Sequence, residues 1–587
     1  MEFDGEIFEA MPPKRLKPSK KRQHESHDGS EADMPDAFES GRKPGPRSFQ
    51  GLAEWPKQVY EDIETASPDL LEVLRSNLCS NKDVWLTTHY SGMGCAELAL
   101  LMLKAQLPER DAGHAGKVML YSACDNDPLA RKMLMERSKA LAPRHVFGDI
   151  TSRVPLEALA KLREIEASAL DRAAESGSRW KCTDTEGKET LKQHKLELGE
   201  NMVRDMCCIL SQCKLMQKDF CFACNKMCPL LPDMAGENAN AVHGEIAGTT
   251  CVAWSSMRSG ASTTGQWLHK STLPCLVWMF WLRQSKPTWY VHECTSRFDA
   301  QELCEFLEAQ YMSFSLRFSP KMFGVPADRQ RCYTVGFNTQ THQLTQLGRE
   351  MLEQACADSL DEGQQLEGLS FRNLSKGMSE CFREIFERQV AVGCEVFLQA
   401  PAEMIAAFHE KHAPPGSATC TGSRKDLLLC LSGAEFQRLL SFKKVFHDNF
   451  HGTFDEALGA SGAVNLQQTI AFQARVTNIV PALLTQSVLC VLTKKGQDAE
   501  PVRVVLPMEH FGMLGFPIFG AGCFSELFPW EFSWLEAHLT SVDIRRMTGN
   551  GMHLQSVGSI LGLLLSLFEP KSPFSMLLGR SNPFLQS

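Results

Sequence analysis

Apolar positions along the chain fall into two alternating rhythms between residues 56 and 340. VYEDIETASPDLLEVLRSNL has helical spacing, and VWLTTHYSG reads as a strand running into a glycine turn. AELALLMLKAQL is helical again, VMLYSACD a second strand, PLARKMLMERSKAL a second helix, and HVFGDI (145–150) a third strand end. Strand, helix, strand, helix, strand with short turns predicts an α/β fold with a doubly wound, Rossmann-like parallel sheet. The rhythm then breaks: residues 155–218 are charged and helix-prone and are followed by a cysteine-rich patch, so about 151–240 reads as an insertion. It resumes with AVHGEIAG (241–248), a helix near 270–284, the strand TWYVHE, the helix AQELCEFLEAQ and the strand RCYTVGF. Residues 341–539 lack that alternation and read as a separate mixed region, with the catalytic domain spanning 56–340 plus 540–570.

Composition narrows the picture. The chain has 587 residues, enough for two or three domains, with 43% hydrophobic and 22% charged positions. The apolar runs VGSILGLLLSLF (557–568) and LPCLVWMFWL (273–282) are too short to span a bilayer. Twenty-two scattered cysteines fit a reducing compartment better than a disulfide framework. Residues 1–55 are expected to form a disordered tail, in which KRLKPSKKR (14–22) is a basic cluster suited to nuclear import. The net charge of −9 means that any groove for nucleic acid must be a local basic patch.

The candidate chemistry sits at strand ends. In GTTCVAWSS (248–256), Cys251 follows a strand and precedes a Gly/Ser/Thr-rich loop, where a thiolate could reach a substrate as a nucleophile. The loop 256–266 has the small residues of a closing lid. In SGMGC, Gly92 and Gly94 let a ligand approach the backbone closely. Asp125, at the end of the next strand, suits a ribose diol, and Asp149, after the third, could accept from an adenine amino group. The alternative is that both merely cap helices. In the cysteine patch, Cys213, Cys221, Cys224 and Cys228 are zinc candidates. Ordinary thiols are the favoured reading there, because no histidine lies within the patch.

Taken in order, SGMGCAELAL, ACDNDPLARKML, FGDI, GTTCVAWSS, HECTSRFD, GVPADRQRCYTVGF, LPMEHFGMLGFP and TGNGMHLQSVG resemble the motif series of the DNA cytosine-5 methyltransferase family over residues 85–340 and 476–565. The resemblance implies a catalytic domain that binds S-adenosyl-L-methionine, with 341–539 as the target-recognition region. Tyr90, Ser91, Gly92, Gly94, Asp125, Asp149 and Asn550 would then be cofactor contacts, with Gly549 and Asn550 opening the final helix. It implies Cys251 as the nucleophile at carbon-6 of a flipped cytosine, Glu293 as the acid at N3, and Arg331 with Arg329 beside it at O2. DNA is the expected polymer and the nucleus the expected compartment; transfer RNA as substrate, or a catalytically silent nucleic-acid-binding relative, are the alternatives. Four motifs depart from the family pattern: Thr88-His89-Tyr90 for Asp-Leu-Phe, Thr249-Thr250-Cys251 for Pro-Pro-Cys, Glu293-Cys294-Thr295 for Glu-Asn-Val, and Ala327-x-Arg329-x-Arg331 for Gln-x-Arg-x-Arg.

Overall fold

The apolar strands of the N-terminal half line up edge to edge because each is buried on both faces, as strands in a helix-covered parallel sheet must be. The computed structural model describes residues 42–571 apart from 80–81, 108–115, 180–184, 234–240, 255–265, 360–365, 367–368, 418–425, 454–457, 472, 474–475 and 496–497. Seven strands form the main sheet: β1 (Val84–His89), β2 (Val118–Cys124), β3 (His145–Phe147), β4 (Val242–Gly248), β5 (Trp289–Thr295), β6 (Tyr311–Phe318) and β7 (Arg331–Asn338). Their order is β3-β2-β1-β4-β5-β7-β6, and β7 runs antiparallel to both its neighbours. This is a doubly wound, Rossmann-like sheet, as expected from the sequence. The order reverses between β1 and β4, so the ligand crevice lies outside their carboxyl ends.

Helices cover both faces. After the N-terminal pair α1 (Trp55–Ala66) and α2 (Pro68–Cys79), α3 (Cys95–Ala105) leaves the glycine turn that follows β1. Next, α4 (Pro128–Met135) starts where Asp127 caps Leu129 N–H at 2.9 Å with proline at the first helical position. The insertion contributes two long helices, α5 (Leu156–Arg179) and α6 (Thr185–Gln212), then a hairpin of Lys218–Cys221 and Lys226–Pro229. α7 (Thr272–Ser285), which carries one of the two apolar runs, and α8 (Ala300–Leu307) complete this layer. The other run lies in α12 (Leu554–Leu567), whose fourteen residues are all buried. Among the described residues no helix is long and apolar enough to cross a membrane.

Two expected boundaries shift. The tail does not extend to residue 55. Lys43–Pro44 pairs with Arg388–Gln389, Lys43 Nζ and Arg388 Nη2 meet Asp62 at 3.0 and 2.7 Å, and Trp55 is fully buried. Lys43, a charged residue that makes this stretch look tail-like, is consumed in one of those ion pairs. The stretch 14–22 lies outside the described residues. Nor does all of 341–539 stand apart from the sheet: α9 (Phe371–Phe386) packs on β6, with Phe382 at 4.8 Å from Phe318. A second core, containing Leu427, Phe442, Phe446, Val464 and Leu492, forms later in the chain. It lies between α10 (Gly433–Thr453) and a three-stranded antiparallel sheet of β8 (Ser461–Asn465), β9 (Leu489–Lys495) and β10 (Asp498–Val504). Within this region Glu509 of LPMEHFGMLGFP is fully buried, paired with Arg503, and accepts from Leu506 N–H and Ala400 N–H at 2.9 Å each.

Helix α12 closes the core by packing on α1. A methyl group on Gly558 would fall inside the Trp55 ring. Gly558→Ala should therefore destabilise the protein by about 1–3 kcal/mol through overpacking, measured as a lower urea midpoint. If Trp55 belonged to a free tail, the same change would instead stabilise the helix by about 1 kcal/mol, so the sign decides the matter.

Burial also fixes the protonation of several histidines. It pushes His243 on β4 down to about 4, and His292 on β5 and His553 before α12 down to about 3, against 6.5 in an unfolded chain. Between pH 6.5 and these values the unfolded chain binds more protons than the folded one, so stability should fall as pH falls through that window. Each such histidine contributes up to about 1.4 kcal/mol per pH unit. Urea midpoints compared at pH 7 and pH 5 should show the loss, and His292→Asn should flatten the slope; an unchanged slope would show that His292 is not buried neutral.

Candidate active site

The site begins with the turn after β1. Tyr90, Gly92 and Gly94 all take left-handed backbone angles, with φ of +52°, +55° and +80°. Glycine adopts these freely, whereas a tyrosine held there is the kind of strain that concentrates at functional sites. A side chain on Gly92 would point into open space, so its backbone is accessible. Gly94 serves a different purpose: a side chain there would occupy the position of the buried Arg137 guanidinium, which donates to the carbonyls of Met93 and Gly94. Gly92 N–H donates to Asp125 Oδ2 at 2.8 Å, while Asp127 N–H donates to Oδ1 at 2.8 Å. Burial raises the Asp125 carboxyl above its usual range, and these two N–H groups work against that rise. Asp125 therefore ties the ends of β1 and β2 together.

Tyr90 is partly buried, its hydroxyl has no hydrogen-bond partner among the described residues, and burial raises its pKa far above that of a free tyrosine. Ser91 faces inward: Cys124 N–H donates to its hydroxyl oxygen at 3.0 Å, and the hydroxyl lies 2.7 Å from Thr88 Oγ1. Asp149 caps the short turn Ile150–Arg153 by accepting from Thr151 N–H at 2.9 Å, leaving its carboxylate half-buried at the end of β3. Open space over Gly92, the partnerless buried Tyr90 hydroxyl and two strand-end carboxylates together fit a nucleoside-bearing cofactor such as S-adenosylmethionine.

Thr88 supplies no charge, but the structure places a carboxylate against it. Its hydroxyl donates to Glu97 Oε1 at 2.5 Å, and the other oxygen of this buried side chain has no partner among the described residues. Sequence reading missed Glu97 because it sits in the first turn of α3, away from the motif position that matters.

The reactive half is assembled by sheet register. Gly248 on β4 lies opposite Glu293 on β5, so the turn at Cys251–Trp254 emerges beside the Glu293 carboxylate. Two bonds hold that turn where a rigid proline lead-in is absent: Thr249 Oγ1 meets His292 Nε2 at 2.7 Å, and Thr295 Oγ1 donates to Trp254 O at 3.1 Å. The Cys251 side chain and the lid segment up to 265 lie outside the described residues. Glu293 is buried and ion-paired with Arg331 Nε at 2.8 Å. Beneath them, His89 pairs with Glu245 at 3.0 Å, and Trp278 Nε1 donates to the same carboxylate at 2.8 Å.

Three expectations need correction. Arg329 does not stand beside Arg331 as a second base-holding group. Its guanidinium is buried and donates to the carbonyls of Leu483, Gly549 and Gly551 at 3.0, 3.1 and 2.7 Å, which makes it a positioning residue. Asn550 does not open the final helix. It is the exposed last residue of α11 (Ser541–Asn550), while His553 caps α12. The segment still meets the glycine turn after β1, because Gly551 packs against Met93 and Cys95. Finally, Cys213 is not part of the cysteine cluster: its carbonyl accepts from Gln284 at the end of α7, whereas Cys221, Cys224 and Cys228 gather around His145.

No known family profile matches the sequence, and no curated protein matches it. Among solved structures, the chain is similar to the Dnmt2 methyltransferase of S. pombe, with 12% identity and a TM-score of 0.35 over 82% of this chain and 98% of that one. It is also similar to a DNMT2 variant from Spodoptera frugiperda, with 10% identity and a TM-score of 0.31 over 82% and 99%. The methyltransferase EhMeth of Entamoeba histolytica gives 10% and 0.30 over 82% and 98%. The fold assignment rests on strand order and not on these likenesses.

If the two strand-end carboxylates hold the cofactor, Asp125→Ala and Asp149→Ala should each weaken S-adenosylmethionine binding by about 1–3 kcal/mol, read by calorimetry. Asp149→Asn keeps the cap and separates that role from ligand contact. Unchanged affinity in both alanine variants would remove this pocket from consideration.

Proposed function

We propose that the chain methylates carbon-5 of cytosine in DNA through a covalent adduct between Cys251 and a flipped base. The observation that supports this reading is the register of Gly248 against Glu293, with the Cys251 turn, the Glu293–Arg331 pair and the glycine turn after β1 at the same end of the sheet. S-adenosylmethionine, held by Tyr90, Asp125, Asp149 and the backbone at Gly92, would supply a methyl group activated by its positively charged sulfur.

The chain's own residues then have defined tasks. Cys251, as thiolate, adds to carbon-6, and the ring electrons displaced toward N3 are met by a proton from Glu293. Arg331 turns from Glu293 to the base O2, freeing the carboxyl for the N3 edge. Carbon-5, now nucleophilic, would take the methyl group; its proton then passes to a water molecule, the C6–S bond breaks to release the thiolate, and N3 returns its proton to Glu293 as the ring is restored. Arg329 keeps the segment bearing Arg331 fixed to the residues before α12. The basic cluster at 14–22 supports a nuclear protein acting on DNA.

An oligonucleotide containing 5-fluorocytosine tests the mechanism, because fluorine cannot leave carbon-5 as a proton does and the adduct persists. Covalent trapping dependent on S-adenosylmethionine is expected. It should vanish in Cys251→Ser, fall strongly in Glu293→Gln and slow in Arg331→Ala. Trapping of RNA but not DNA would transfer the reading to an RNA substrate. Methyl transfer surviving in Cys251→Ser would refute the mechanism, and no transfer to either polymer would favour a catalytically silent relative.

A further inference from the structure

A second constellation lies at the far edge of the sheet. The side chains of His145, Cys221, Cys224 and Cys228 converge so that their ligand atoms all lie within 4.8 Å of one another. His145 begins β3, and the three cysteines come from the hairpin that follows α6. Cys221 ends the first strand of the hairpin and Cys224 lies within the tight turn, next to Asn225 with its left-handed φ of +52°. Cys228 lies on the returning strand opposite Asp219.

The spacing within the cluster is that of a metal knuckle. Zinc–sulfur bonds of about 2.3 Å and zinc–nitrogen bonds of about 2.0–2.1 Å in a tetrahedron place sulfur and nitrogen about 3.6 Å apart. His145 Nδ1 stands 3.7 Å from Cys221 Sγ and 3.5 Å from Cys224 Sγ. Two backbone N–H groups, from Val146 and Cys224, point at Cys221 Sγ at 3.4 Å each, an arrangement suited to a sulfur that carries negative charge. All three thiols are free of disulfides. Outside the cluster, Tyr121 Oη donates to the carbonyls of Pro229 and Leu231 at 3.1 and 2.8 Å, which fixes the strand bearing Cys228.

We propose that His145, Cys221, Cys224 and Cys228 form a structural zinc site that fastens the inserted hairpin to the edge of the methyltransferase sheet. Three thiolates and one imidazole in a closed tetrahedron favour zinc over harder, oxygen-seeking cations. The four protein ligands leave no open position, so the ion is structural and not catalytic. Its mechanical effect reaches the candidate cofactor crevice. The fastened hairpin places the Phe222 ring against Gly148, the residue before Asp149, and under the Arg131 guanidinium at 4.3 Å. Arg131 in turn donates to the Asp125 carbonyl at 2.9 Å.

Metal analysis of the purified full-length chain should find about one zinc ion per chain. Cys224→Ser and His145→Ala should lose it, while Cys213→Ser keeps it. In place of zinc, cobalt(II) should give the intense visible bands of a tetrahedral thiolate site in wild type and in Cys213→Ser, but not in Cys224→Ser. Where the cluster variants do not stay soluble, thiol modification of the wild type by a mercurial should release one zinc for about three thiols protected by the metal. A metal-free wild type with a cooperative thermal transition unaffected by chelator would overturn the site. So would loss of zinc in Cys213→Ser equal to that in Cys224→Ser. Neither result depends on methyl transfer, so failure of the metal site and failure of the catalytic reading are separately visible.

Discussion

The Arg329 guanidinium holds together three parts of the chain that are distant in sequence. Its donors end on Leu483, Gly549 and Gly551, while its own backbone N–H is held by Ser319 Oγ at 3.0 Å. The constraint is severe: a buried cation must satisfy its donors or it costs several kcal/mol. Three carbonyls from the segment before β9 and from the lead into α12 accept from its two terminal nitrogens. The start of β7, and with it Arg331, is thereby placed relative to both the sheet and the C-terminal segment.

Around that anchor, two of the four departures from the family pattern, at Thr88 and Thr249, are compensated through space. Thr88 lacks a charge but leans on Glu97. Thr249 lacks the rigidity of proline but is pinned by the neutral imidazole of His292. That imidazole stacks on Trp278, at 4.9 Å between ring centroids, and Trp278 in turn donates to Glu245. The sheet beneath the crevice is therefore unusually polar for a parallel core, and each pair is enclosed. Such networks specify one arrangement when satisfied, because a broken pair in a low-dielectric interior is expensive. Loss of a motif side chain thus does not by itself mean loss of the geometry it supported.

How much of this could be read from the sequence depends on how local each relationship is. The strands and the glycine turn were legible because apolar period and turn residues are written within short windows. The ends of the tail and of the recognition region were not. Lys43 and Arg388 look solvated until Asp62 is brought between them, and α9 has the spacing of any amphipathic helix until Phe318 meets it. Asn550 was assigned to the wrong helix because a helix end and a helix start share Gly and Asn as signals. His145 was invisible beside the cysteines: it lies 76 positions before Cys221 and only the fold of the insertion joins them.

The packing of α12 across α1 carries a consequence for how the molecule is made. The ring of Trp55 is covered by a helix that leaves the ribosome some five hundred residues later. Until then α1 to α3 present a broad apolar face with no native cover, and the central strands wait beneath it. Synthesis at about 5–20 residues per second leaves that face uncovered for tens of seconds. A nascent chain in this state would be a natural client for chaperones. A truncation that removes only α12 would leave the whole N-terminal half without its lid, so this protein's tolerance to damage at its far end should be poor even though no reacting group lies there.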